Sequence, residues 1–180
     1  MSTKHLYVSW DEYHRMIEQL ALQVHDSGYR FDSLLCLARG GLRIGDVFSR
    51  LFDVPLAILA TSSYRAAAGT QQGALDIAEY ITSTGGELRG RLLLVDDLVD
   101  SGVTLARVIE RLRARYPRLT EVRTAVLWHK AVSSVKPDYA VQFLADSPWI
   151  HQPFEAYDAM TPQQLAARLR EAPTGEGRPA

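Results

Sequence analysis

The chain has 180 residues, of which 47% are hydrophobic and 23% are charged, and its formal net charge at pH 7 is −1. This length fits a single domain, the balanced charge argues against a basic nucleic-acid-binding protein, and the single cysteine, Cys36, excludes an internal disulfide or a zinc site of several thiolates. The sequence lacks an apolar signal segment and any apolar run of the roughly 20 residues that span a membrane, so it predicts a soluble, cytoplasmic protein with no nucleic-acid or membrane partner.

The first third of the chain alternates between helical and strand patterns. Ser9 and Glu12 have the spacing of a capping box, and apolar residues recur behind them at helical spacing. Continuous apolar runs of strand length are typical of strands buried on both faces. The predicted elements are a helix from Ser9 that ends at Gly28, a strand over 34–38, a helix through 44–52 and a strand over 54–60.

The segment 61–90 has a different composition, rich in Ser, Thr, Gln, Gly and Ala, with one loose strand pattern over 75–81. About thirty residues without a strong core pattern inside a compact domain are typical of a functional flap or a disordered loop. We therefore predict a flap over 61–90.

The remaining patterns complete an α/β fold with a mostly parallel central sheet flanked by helices. Such sheets bind their ligands at the carboxyl ends of the strands. We predict one domain over 1–171 and a disordered tail over 172–180. The predicted elements are a strand over 91–95, a helix over 102–116, strands over 122–128 and 139–144, and a short helix that begins at Thr161-Pro162.

The strand pattern at 91–95 leads into the most informative motif, LLLVDDLVDSGVT. The acid pair Asp96-Asp97 suits the hydroxyls of a sugar or a Mg2+ ion. The S-G-V-T that follows opens a helix, whose free N–H groups and dipole suit a phosphate. A helix N-cap with solvated carboxylates is the plain alternative, and it explains parts of the motif better than the whole. The complete arrangement predicts a ribose 5-phosphate site.

This motif resembles the ribose-phosphate signature of the type I phosphoribosyltransferases, which use phosphoribosyl pyrophosphate (PRPP). SLLCLARGGLRIG resembles the pyrophosphate loop of their 6-oxopurine branch, and SSYR resembles the start of their flap. LWHK, KPDYAVQFL and PWIHQPFE resemble their base-binding segments. The resemblance runs from about 7 to 158, with gaps in the flap, and it implies a Rossmann-like fold with a flap or hood.

The resemblance also implies which residues bind PRPP. Asp96 and Asp97 are expected at the ribose hydroxyls and at Mg2+. Glu155 stands where many of these enzymes have Asp, and is a candidate ligand of a second Mg2+. The pyrophosphate loop of the family often contains a cis peptide. The other expected PRPP contacts are Asp100, Ser101, Gly102, Val103, Thr104, Arg39, Gly40, Gly41, Ser63 and Tyr64.

For the base, the resemblance implies that Lys130 donates to O6, Trp149 stacks on the ring and the backbone of Ile150 reads position 2. Asp100 is expected to take the proton from purine N7, so Asp100, Arg39 and Lys130 are the expected catalytic residues. An ammonium group matches a carbonyl oxygen and repels an amino group, so hypoxanthine, guanine or xanthine fits better than adenine.

The sequence therefore predicts a Mg2+-dependent purine-salvage enzyme that converts PRPP and a 6-oxopurine into the nucleoside 5-monophosphate and pyrophosphate. The resemblance suggests a homodimer or homotetramer. One alternative is a regulatory PRPP- or nucleotide-binding protein on the same fold, and another is a phosphoribosyltransferase for orotate or adenine. His129, His151 and Cys36 are interpreted as structural residues.

Overall fold

The computed structural model describes residues 4–65 and 72–171. This part of the chain contains four α-helices and nine strands. The helices are α1 (Trp10–Asp26), α2 (Leu42–Phe52), α3 (Val103–Arg115) and α4 (Pro162–Glu171), with a short 3-10 helix at Glu155–Tyr157. The strands are β1 (His5–Tyr7), β2 (Ser33–Ala38), β3 (Leu56–Arg65), β4 (Gln72–Ile77), β5 (Thr82–Ser83), β6 (Gly90–Val99), β7 (Leu119–Lys130), β8 (Tyr139–Leu144) and β9 (Trp149–His151).

Seven strands form one sheet in the order β4-β3-β2-β6-β7-β8, with β5 paired to β3. The pairs β2–β3, β2–β6, β6–β7 and β7–β8 are parallel, and β4 and β5 run antiparallel to β3. The predicted α/β class and its mostly parallel sheet are confirmed. The parallel order places the carboxyl ends of β2, β6 and β7 side by side at one edge.

Both faces of the sheet are covered, which explains its continuous apolar runs. Alternate residues of β2 point into different cores, Leu34 and Cys36 toward one and Leu35 and Leu37 toward the other. Helices α1 and α2 cover the first face, and α3 covers the second.

The capping box at the start of α1 is present as predicted. Ser9 Oγ accepts a hydrogen bond from the backbone N–H of Glu12 at 3.2 Å, and Glu12 Oε2 accepts one from the backbone N–H of Ser9 at 2.8 Å. The helix ends at Asp26, just before the predicted stop at Gly28, with Ser27 as its C-cap.

β6 and β7 extend beyond their predicted ends at 95 and 128, and the difference moves functional residues into the sheet. β6 continues to Val99 because its pairing with β7 continues through Asp96, opposite Val126, and Val99, opposite His129. β7 likewise ends only at Lys130, opposite Leu144 of β8. Polar residues within these strands look like strand ends in the sequence.

The segment predicted as a flap contains more strand than its composition indicates. β3 runs to Arg65 and pairs antiparallel with β4, so the predicted strand over 75–81 had the wrong bounds. Residues 66–71 of this segment and the predicted tail, 172–180, lie outside the described residues. Within the described residues, no helix is long and apolar enough to cross a membrane.

A second, two-stranded sheet was missed by the sequence analysis. β1 pairs in parallel with β9, with Leu6 opposite Ile150 and Tyr7 opposite His151. His5 Nδ1 and His151 Nε2 share a hydrogen bond at 2.8 Å, and the ring of Tyr7 stacks on His151 at 4.3 Å between centroids. This small sheet positions the segment that carries Trp149.

Candidate active site

The predicted site residues gather at the carboxyl edge of the large sheet. The loop 39–41 follows β2, Asp96 and Asp97 lie in the last part of β6, and Lys130 ends β7. Cavities of about 490 and 450 Å³ lie elsewhere: one at the opposite edge beside Ser33, the other between α1 and α2. Neither of these two cavities is lined by the predicted site residues.

The loop after β2 lies directly against the acid pair. The Ala38–Arg39 peptide is cis, and Gly41 caps the start of α2. A Cβ atom built on Gly40 would lie 2.8 Å from Asp96 Oδ1 and closer still to the carboxylate of Asp97. Only glycine lets this backbone approach both carboxylates.

Asp96 and Asp97 form a tightly packed pair. The backbone N–H of Asp97 donates to Asp96 Oδ1 at 2.9 Å. Burial, followed by the neighbouring charge of Asp97, raises the pKa of Asp96. Two carboxylates held this close are suited to binding a cation or to accepting hydrogen bonds from two hydroxyl groups of a ligand.

The acid pair fits Mg2+. This ion prefers oxygen ligands, and proteins usually bind it through one or two carboxylates together with substrate phosphates and water. Among the described residues, no group of three or more His, Cys, Asp or Glu side chains is placed to hold a metal. The carboxylate of Glu155 lies 3.9 Å from His151 Nδ1, and its predicted metal contact stays a prediction.

The loop before α3 is shaped for an anion. Gly102 caps this helix with φ +83° and has no side chain to bond the N-terminal N–H groups, of which that of Val103 makes a long hydrogen bond of 3.4 Å to Ser101 Oγ. A Cβ on Gly102 would lie 2.6 Å from Ser133 Oγ. The carbonyl of Ser101 accepts hydrogen bonds from the N–H and hydroxyl of Ser134, at 3.0 and 3.1 Å. Residues 133–134 thus support the loop Ser101–Thr104 from behind.

Lys130 and Asp100 form an ion pair, with Nζ and Oδ2 3.3 Å apart. The Lys130 side chain is only 8% exposed, whereas that of Asp100 is 49% exposed. A buried ammonium is stable only with a partner, and Asp100 supplies it. Lys130 supplies a hydrogen-bond donor and Asp100 a proton acceptor beside it. A heterocyclic ring with a carbonyl next to an N–H group would match these two groups.

Two further predicted residues differ in burial. Trp149 is 43% exposed, so its indole is accessible, while Ile150 is buried in the core beneath it.

Arg39 is 84% exposed and its Nη2 lies 3.1 Å from Asp158 Oδ1, a pairing that the sequence did not indicate. Ser63 and Tyr64 lie in β3, and their contacts with a ligand stay predictions.

The sequence analysis missed two residues beside the acid pair. Gln152 donates from Nε2 to Asp97 Oδ2. Tyr13 is fully buried, and burial together with the charge of Asp97 raises its pKa. Within the described residues, its hydroxyl has no hydrogen-bond partner. In the sequence, Tyr13 has the pattern of a core residue of α1, and Gln152 is a polar residue outside any motif. The sequence around either residue therefore does not indicate that it lies near Asp97.

Comparison with known proteins gives consistent matches. The family model of the phosphoribosyl transferase domain matches residues 9–159. The chain is 30% identical over 158 residues to a xanthine-guanine phosphoribosyltransferase from Idiomarina loihiensis, which covers 87% of this chain and 90% of that protein.

Two solved structures resemble the whole fold. One is a purine phosphoribosyltransferase from Pyrococcus horikoshii, with a TM-score of 0.68, 29% identity and coverage of 84% of this chain and 93% of that one. The other is a xanthine-guanine-hypoxanthine phosphoribosyltransferase from Helicobacter pylori, with a TM-score of 0.68, 26% identity and coverage of 93% and 99%.

Proposed function

The chain belongs to the phosphoribosyltransferase family, in its 6-oxopurine branch, and we propose that it transfers the 5-phosphoribosyl group of PRPP to a 6-oxopurine base. The products are the nucleoside 5-monophosphate and pyrophosphate. The observation that carries this proposal is the Lys130–Asp100 pair beside the acid pair at one sheet edge. This edge combines groups for a base with groups for ribose and phosphates.

The PRPP part of the proposal rests on three elements. The N-terminus of α3, with the loop Ser101–Thr104, binds the 5-phosphate. Asp96 and Asp97 bind the ribose hydroxyls. Gly40 and Gly41 let the loop 39–41 pack against β2 and β6 beside the acid pair, where its backbone contacts the pyrophosphate, and Arg39 exchanges its exposed contact with Asp158 for the leaving group. Held in this way, C1 of the ribose faces the base with little remaining freedom.

The acid pair is also the proposed Mg2+ site. The ion would be held by Asp96 and Asp97 together with oxygens of PRPP, and would stabilise negative charge on the departing pyrophosphate. The chain's own contribution is to hold the two carboxylates together and to keep Gly40 against them.

The bond changes follow from this placement. The bond between C1 and the pyrophosphate oxygen breaks, and its electron pair leaves with pyrophosphate. A ring nitrogen of the base forms the new bond to C1, and Asp100 accepts the proton that the base gives up at N7. Lys130 donates to O6, where electron density increases as the proton leaves.

The names of the relatives suggest which bases to test first. Proteins similar to this chain are named for xanthine, guanine and hypoxanthine. All three carry a carbonyl at C6, which accepts a hydrogen bond from an ammonium group. Adenine presents an amino group there, which repels it.

One assay tests the proposal. The protein is incubated with PRPP, Mg2+ and, separately, xanthine, guanine, hypoxanthine or adenine, and nucleotide formation is followed by chromatography. Turnover with at least one oxopurine and little with adenine is the expected result. PRPP binding without turnover of any base would instead indicate a regulatory PRPP-binding protein.

Three further expectations complete the proposal. Residues 1–171 form one catalytic domain whose flap, over 61–90, closes toward PRPP. The protein works in the cytoplasm, where PRPP and free bases occur. It assembles as a homodimer or homotetramer, which sedimentation at micromolar concentration would test.

A further inference from the structure

Gln152 connects the two sheets of the protein. It follows β9 directly, and its side chain is only 8% exposed. Its Nε2 donates a close hydrogen bond to Oδ2 of Asp97, 55 residues away in β6. Among the described residues the buried Oε1 of Gln152 has no hydrogen-bond partner, so the bond from Nε2 to Asp97 is the contact that offsets the burial of this amide.

The Asp97 carboxylate is held from two sides. Oδ1 lies against Gly40, so closely that a Cβ atom there would collide with it, and Oδ2 accepts from Gln152. Its own backbone N–H donates to Asp96. The contact with Gly40 on one side and the hydrogen bond from Gln152 on the other together define the orientation of the carboxylate relative to the loop before α2.

The amide is a suitable anchor because it is neutral. A lysine or arginine in its place would neutralise Asp97 and compete with any cation brought by a substrate. A carboxylate would repel it. The orientation of the amide also follows from the charge, since Oε1 turned toward Oδ2 would oppose two acceptor oxygens.

Gln152 is itself anchored by the strand before it. Ile150 is buried in the main core, and the backbone N–H of Trp149 donates to the carbonyl of Lys4 at 2.8 Å. The backbone that carries Gln152 is therefore held by the packing and pairing of β9, so its hydrogen bond can keep the Asp97 carboxylate in place.

We propose that Gln152 is a positioning residue, which holds the Asp97 carboxylate in the orientation that meets the ribose hydroxyls and Mg2+ of PRPP. It acts through Asp97 and does not touch the reacting atoms. This inference rests on the proposed function, and it assigns a part of the PRPP site to the segment that follows Trp149.

The test is the affinity for PRPP with Mg2+, measured by calorimetry without a base. Gln152→Met keeps the length of the side chain and removes the donor. Loss of such a supporting contact typically weakens metal binding by about 10–100-fold, and we expect a loss of this size in PRPP affinity. Gln163→Met, on the exposed surface of α4, is the matched control and should bind as the wild type does.

A crystal structure of Gln152→Met supplies a second measurement, in which the Asp97 carboxylate should turn from its wild-type orientation. If this variant does not fold, Gln152→Leu, which also lacks the donor and adds no charge, takes its place with the same expected results. PRPP affinity within twofold of wild type, or an unchanged Asp97 orientation, would overturn the inference alone. Failure of the wild-type protein to bind PRPP would instead refute the proposed function.

Discussion

Replacing Gly40 by alanine tests whether the loop after β2 and the acid pair form one binding surface. The new Cβ atom would lie 2.8 Å from Asp96 Oδ1 and 2.6 Å from Asp97 Cγ. Since ordinary contacts begin near 3.4 Å, the loop and the carboxylates must separate by about 0.6–1.0 Å, the most at Asp97 Oδ1. Neither carboxylate moves freely, because Asp97 is bound to Gln152 and its N–H to Asp96.

This displacement is large enough to affect function strongly. A misplacement of 1 Å in a binding or catalytic group costs about 100-fold in rate, so we expect kcat/KM for PRPP to fall by about 10–100-fold. That corresponds to about 1.4–2.7 kcal/mol of transition-state stabilisation. Because φ of Gly40 lies outside the left-handed region, the substitution adds no backbone strain of its own.

The assay is steady-state turnover of PRPP with a saturating oxopurine, together with thermal unfolding. Gly28→Ala is the control, because Gly28 has φ +73° and open space around its α-carbon. That variant should lose about 1 kcal/mol of stability and keep its kcat/KM. A Gly40→Ala enzyme within threefold of wild type would refute the reasoning, since the loop would then not be held against the acid pair.

The remaining predictions concern the base side of the site and the core. Asp100→Asn should lower kcat by about 10²–10⁴-fold, because the proton acceptor is lost. Calorimetry should show PRPP affinity within threefold of wild type, because the phosphate loop is kept. An unchanged kcat would remove Asp100 from the role of proton acceptor. Lys130→Met should raise KM for the oxopurine by about 10–100-fold with little change in KM for PRPP, and an unaltered KM for the base would exclude a contact with O6. Burial raises the pKa of Cys36 from 9.0 to about 12, so iodoacetamide at pH 8 should label it only in the unfolded protein, and labelling of the native protein would contradict its burial. Because the folded state favours the neutral thiol, this stabilisation is complete below pH 9.0 and is lost as pH rises toward 12, a trend in urea unfolding that Cys36→Ala should lessen.

The parts of the fold that were predictable depend on local patterns. The capping box at Ser9 and the apolar run over 34–38 each specify an element through neighbouring residues, and the structure contains both. The motif around Asp96 was equally informative, because its residues are close in sequence as well as in space. Such features require no knowledge of distant partners.

The missed parts depend on partners far along the chain. β6 continues through Asp96 because β7 provides hydrogen bonds there, and a polar pair at the end of an apolar run gives no indication of that. β1 and β9 have three residues each, too few for a periodic pattern, and they form only because they pair with each other. The contact between Gln152 and Asp97 is of the same kind.

The charges of the site explain how a nearly neutral chain can bind a polyanion. Both cations proposed to contact substrates lie beside carboxylates, Arg39 beside Asp158 and Lys130 beside Asp100. The acid pair adds further negative charge at the same edge, so side chains alone give no positive surface. In the proposed function, the attraction for PRPP would therefore come from the N-terminus of α3, from a cation that arrives with the substrate, and from Arg39 once it leaves Asp158. A neutral amide beside Asp97 preserves the negative charge that this cation needs. A lysine at position 152 would bind Asp97 more strongly, through an ion pair, but would neutralise that charge, which is a physical reason for glutamine at this position.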